Sequence, residues 1–70
     1  MNLIINGESR EFPEPALTLS ALILERLGMK ADRVAVELNR RIASRGEWES
    51  TFVKDGDCLE IVHFVGGGKS

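Results

Sequence analysis

The chain is poor in the residues that do chemistry on their own. Its 70 residues include one cysteine, one histidine and no tyrosine. A single cysteine closes no internal disulfide, and one cysteine with one histidine cannot make the ligand set of a structural zinc site. The fold must hold by packing alone, which fits a reducing compartment. Long apolar runs are also missing; none approaches the ~18 residues of a membrane span. The opening Met1-Asn2-Leu3 carries no basic stretch followed by an apolar one, so no signal peptide is expected. Charge of one sign is lacking too: 9 basic residues face 11 acidic ones, net -2. A nucleic-acid module would show a basic stripe. A domain this short hides only roughly 60% of the surface of its unfolded chain. It has no room for a cofactor cleft between lobes or a large enclosed pocket. The expectation is one cytoplasmic domain, monomeric when free, with no nucleic-acid or membrane partner, no metal and no permanently bound cofactor. Its function must sit on the surface, at a terminus or with a partner.

What is present reads as a small α+β unit. Residues 2–6 look like a strand, and Asn6-Gly7 is a hairpin signal because both tolerate positive φ. Residues 8–12 would return, and Pro13 and Pro15 then stop the ladder. Thr18 is placed to cap a helix. Leu19, Leu22, Ile23 and Leu27 follow helical spacing over about ten residues, and Gly28 stands where a left-handed residue would end it. Val34, Val36 and Leu38 alternate as a half-buried strand. Asn39-Arg40-Arg41 reads as a turn, Ile42-Ala43 as a short strand, and residues 44–50 as a single turn around Trp48. Lys54-Asp55-Gly56-Asp57 is a turn signal, followed by the best strand in the chain, Cys58 to Val65. The order is satisfied by a mixed sheet of four to five strands with one main helix across one face. The first and last strands, the most apolar, belong side by side at its centre. That arrangement is a ubiquitin-like β-grasp over residues 1–65, with a flexible glycine tail at 66–70.

No reactive pair converges. Cys58 and His63 lie on one expected strand at an odd separation, which puts them on opposite faces and roughly 16 Å apart. Glu47 and Glu49 beside Trp48 read as a solvated turn. The closing Gly66-Gly67-Gly68-Lys69-Ser70 is not a phosphate loop: its first required glycine falls on His63, and no helix follows. Arg40, Arg41 and Arg45 read as a solvated turn or, alternatively, as a patch for an acidic partner. On the last strand, Leu59 and Ile61 match the buried face and align with Leu3 and Ile5. Val62 and Phe64, with Ile4 beside them, then fall on the open face. An apolar patch there suits a partner, unless sheet twist and the Trp48 segment cover it.

At the tail the chain resembles the ThiS branch of the ThiS/MoaD sulfur-carrier family, and the match spans essentially the whole chain. It runs from the opening Met-x-Leu-x-x-Asn-Gly through Thr18 and its Leu-rich helix. It continues through Val34-Ala35-Val36-Glu37-Leu38-Asn39, then Asn39 to Arg45 with Trp48. Asp55-Gly56-Asp57 follows before Leu59-Glu60-Ile61, and glycines follow Phe64-Val65. Ser44 stands where the family often has proline. The resemblance implies that a ThiF-like enzyme uses ATP to adenylate a terminal glycine carboxylate. Sulfur, ultimately from a cysteine desulfurase, then yields a thiocarboxylate, and the thiazole synthase ThiG receives it. The sulfur-carrying residues are expected at Gly67 and Gly68, and the partner-binding ones at Val62, Phe64, Val65 and Gly66. The family's tail ends in Gly-Gly, whereas Lys69 and Ser70 follow here, so a trimming protease is expected. Gly68 is the expected reactive end, with Gly67 left open. The chain would be a carrier acted on by enzymes, not an enzyme. A MoaD-like carrier for molybdopterin, a ubiquitin-like modifier and a plain interaction domain are the other readings.

Overall fold

The computed structural model describes residues 1–64. In chain order these form β1 (Asn2–Ile5), β2 (Glu8–Glu11), β3 (Ala16–Thr18), α1 (Ala21–Arg26), β4 (Val34–Leu38), β5 (Arg41–Ile42), β6 (Phe52–Lys54) and β7 (Cys58–His63). Short 3-10 turns sit at Ala31–Arg33 and Arg45–Glu47. The main sheet runs β2-β1-β7-β4-β5. β1 and β7 are parallel neighbours at its centre, with Ile5 opposite Leu59, and the other pairings are antiparallel. The central pair is the one expected from its apolar content.

Turn chemistry explains the hairpins. Asn6 and Gly7 hold φ of 52° and 82°, and Asn39 and Arg40 hold 51° and 70°. Both are two-residue connections of the left-handed kind that matches strand twist. The first is readable from Asn-Gly. The second has a non-glycine residue at each position, a conformation side chains seldom adopt.

The helix departs from expectation. Thr18 does cap it, its Oγ1 accepting from the Ala21 N–H at 3.1 Å. Gly28, at φ 67°, follows it as expected. But the ladder widens: the Leu27 N–H reaches the Leu22 carbonyl at 2.9 Å, five residues back rather than four. A regular helix of about ten residues is thus replaced by a shorter π turn. So short a helix is held by its packed face, not its ladder, and Leu19, Leu22 and Ile23 are fully buried. A second sheet, absent from the sequence reading, pairs β3 with β6 and Leu17 with Val53. Three-residue strands carry too little alternation to be seen in sequence.

The core lies between α1 and one sheet face. Leu3, Ile5, Val34, Val36, Leu59 and Ile61 come from the sheet, and Val53 and Trp48 complete the layer. Trp48 belongs to this core, 3% exposed, with its indole N–H donating to the Ala43 carbonyl at 2.9 Å. The segment around it borders Ile42 and Phe64 at one edge of the sheet.

Two asparagines bind β7 into place. Where the backbone of Asn6 turns left-handed, its amide replaces the ladder: Oδ1 accepts from the Ile61 N–H at 2.7 Å and Nδ2 donates to the Ile61 carbonyl at 3.1 Å. Asn39 does the same on the other flank, its Oδ1 accepting from the Cys58 N–H at 3.0 Å. Its Nδ2 donates to Asp57 at 3.1 Å, and Asp57 also accepts from the Lys54 N–H at 2.9 Å. Asp57 is the buried carboxylate among the described residues, 7% exposed. These bonds meet the rule that buried polar groups find partners.

Candidate partner-docking face

Alternation along β7 divides the strand's work. Leu59 and Ile61 point into the core, while Cys58, Glu60 and Val62 are exposed. Val62 is 58% exposed and Phe64 53%. Both are expected on the open face, and the structure puts them there. Ile4, half-buried, is opposite Cys58 on β1. The pairing outlasts the strand itself, because the Phe64 N–H still donates to the Arg33 carbonyl at 2.9 Å. The expected strand to Val65 is therefore supported as far as Phe64. Val65, Gly66, Gly67 and Gly68, expected as site residues from sequence, lie outside the described residues, as does the expected domain edge at 65/66.

Register adds members that the sequence does not show. Ala35 pairs with Val62, Glu37 with Glu60, and Ile42 with Glu37. Directly paired residues share a face. Ile42, 79% exposed, thus extends the apolar surface to the β5 edge. The uncovered sheet face is Ile4, Val62, Phe64, Ala35 and Ile42 around two carboxylates. Alternation in each strand is legible in sequence; the alignment between strands is not.

The other candidates separate. Cys58 and His63 are both exposed, and five positions of alternation keep them on opposite faces. Among the described residues no three His, Cys, Asp or Glu side chains come together to hold a metal. The arginines do not act as one patch. Arg45 donates to the Ala31 carbonyl at 3.2 Å and borders a hollow with Ile42, Trp48 and Phe64. Arg40 borders a different hollow with Ile4, Cys58, Glu37 and Glu60. No helix among the described residues is long and apolar enough to cross a membrane.

The model of the ThiS family matches residues 3–68. A solved structure of the thiamine biosynthesis protein ThiS from Geobacter metallireducens superposes with a TM-score of 0.84 and 38% identity, covering 97% of this chain and all of that one. The sulfur carrier protein ThiS of Bacillus subtilis is 32% identical over 94% of this chain and 98% of its own length. A thiazole synthase of Paramagnetospirillum magneticum is 47% identical over 97% of this chain, which spans only 20% of that protein's length. A thiazole synthase of Magnetococcus marinus is matched over a similar 21% of its length.

Proposed function

The chain belongs to the ThiS family, and from that premise we propose that it carries sulfur for the thiazole of thiamine. The observation that carries the reading is the continuity of the uncovered apolar face, at Val62 and Phe64, with the glycines that follow in sequence. A partner that grips the face receives the glycine run at the same time. Glycine has no Cβ, so such a run can enter a narrow channel toward ATP.

The chemistry belongs to the partners. A carboxylate resists attack until one oxygen becomes a good leaving group. A ThiF-like enzyme would join the carboxylate of Gly68 to the α-phosphorus of ATP, releasing pyrophosphate and leaving an acyl adenylate. A sulfur nucleophile, supplied by way of a cysteine desulfurase, would then add to the acyl carbon and expel AMP. The product is a thiocarboxylate whose sulfur passes to a ThiG-like thiazole synthase. Gly68 gains its free carboxylate when the residues after it are removed. Two relatives named thiazole synthase contain a segment similar to this chain, which supports a thiazole synthase as the receiving partner. The bulk of the fold is then a handle, and the chain performs no catalysis itself.

Intact-mass measurement tests this. The full chain and a chain ending at Gly68 are each incubated with the adenylating enzyme of their own organism, ATP and sulfide. The expected result is that the shortened chain has one oxygen replaced by sulfur while the full chain is left unmodified. Adenylation of the full chain at Ser70 would overturn the assignment of Gly68. An unchanged mass of the shortened chain would overturn the carrier reading, and a ladder of protein adducts would favour a ubiquitin-like modifier. Transfer of the sulfur to a molybdopterin synthase subunit in place of a thiazole synthase would favour the MoaD-like alternative.

A further inference from the structure

The open sheet face carries a pair of like charges at its middle. Glu37 and Glu60 are directly opposite on β4 and β7, and both are exposed. The bonds from the Asn39 N–H to the Cys58 carbonyl and from the Phe64 N–H to the Arg33 carbonyl fix the alternation between these strands. By it, Glu37 and Glu60 occupy a position where the two backbones exchange hydrogen bonds, with Cα atoms about 5.5 Å apart. Like charges directly opposite one another destabilise a sheet. Among the described residues neither carboxylate is in an ion pair; the pairs present are Arg26 with Glu14 and Lys54 with Asp57. Arg40 lines the hollow beside them without making an ion pair with either.

The surroundings point outward. Ile42 flanks the pair across β5, Val62 stands two residues along β7, and Phe64 lies beyond it. A carboxylate pair ringed by exposed apolar side chains is the complement of a cation set in an apolar protein surface. A guanidinium suits it best, because its planar fork can donate to two carboxylates at once. The geometry points to this: the face docks on a partner protein that inserts an arginine between Glu37 and Glu60, while apolar side chains around it cover Ile42, Val62 and Phe64. The inference rests on the carrier reading and adds to it which chemistry a partner must present. The arginine selects the partner and fixes the register in which the chain is held. An arginine between the two carboxylates would offset the unfavourable pairing of like charges across the strands.

The test uses the full chain, with Glu37→Gln and Glu60→Gln made singly and together. Binding to the adenylating enzyme and to the thiazole synthase is measured by calorimetry at low and moderate salt, alongside thermal unfolding. The expected result is that at least one partner binds the double variant about tenfold more weakly or worse, with a smaller salt dependence. Its melting temperature should be equal to or above that of the unaltered chain. Unchanged affinity for both partners overturns this inference and leaves the carrier reading standing. A fall in melting temperature with unchanged affinity overturns it too, since the pair would then serve the fold. Failure of the unaltered chain to bind either enzyme overturns both readings.

Discussion

Truncating Phe64 separates a docking residue from a core residue by arithmetic. Phe64 is 53% exposed, and its N–H bond to Arg33 involves only backbone. Burying a whole phenylalanine contributes about 1.5–3 kcal/mol. Roughly half the side chain is already hidden, so Phe64→Ala should cost about 1 kcal/mol of stability. The side chain seals no cavity, and the extra penalty seen in closed cores does not apply. For a domain of this size that cost is a fall of about 4–8 °C in melting temperature. Binding should suffer more. An aromatic anchor covered by a partner typically contributes about 2 kcal/mol or more, or roughly 30-fold in Kd. Thermal unfolding by circular dichroism and calorimetric titration with the adenylating enzyme measure the two terms separately. Phe52→Ala is the control: Phe52 is 61% exposed but sits on β6 in the small sheet, so it should leave the affinity unchanged. A loss of about 3 kcal/mol or more in stability, the scale of a core phenylalanine, together with an unaltered Kd, would refute the reasoning.

Two further outcomes are expected. Deleting Gly67 and Gly68 should abolish sulfur loading by intact mass while the melting temperature stays nearly constant, since among the described residues the buried core cluster ends at Ile61. Asn39→Gly keeps the left-handed turn but removes the bonds to Cys58 and Asp57, so urea unfolding should show a loss of about 1–3 kcal/mol. Asn39→Ala should lose about 1 kcal/mol more, from its φ of 51°. A neutral Asn39→Gly would show that the side chain does not serve the ladder.

How far the sequence can be read follows from the range of each signal. Asn6-Gly7, Thr18 and Gly28 act over a few residues, and each does what its chemistry dictates. The alternation of Leu59 and Ile61 against Val62 and Phe64 is likewise local, so the open face is legible in the strand's own residues. The β3–β6 sheet is not, because Ala16–Thr18 and Phe52–Lys54 are joined across about half of the chain and each is too short to show a period. The widening of α1, with the Leu27 N–H on the Leu22 carbonyl, has no marker in the spacing of Leu19, Leu22, Ile23 and Leu27. Trp48 reads as part of a surface turn because its neighbours are polar; its burial depends on the partner carbonyl at Ala43. Glu37 and Glu60 each read as ordinary exposed residues of a strand. Only the register makes them a pair.

Register is also where folding and function meet. β7 stabilises the protein with Leu59 and Ile61 and presents Glu60, Val62 and Phe64 from the same backbone. A slip of one residue would exchange the two sets, burying charge and exposing the core. A carrier recognised through this face needs protection against that slip beyond the preference of its apolar side chains. Asn39 holds Cys58 from the β4 side, and Asn6 holds Ile61 from the β1 side. Both fix particular positions of β7 with side-chain amides, which would have to break for the strand to move. Both also close the adjacent hairpins, so the sharp turns and the central register depend on the same two residues. The left-handed asparagines are in this sense part of the docking face without touching it: they keep Val62 and Phe64 outward and Glu60 opposite Glu37.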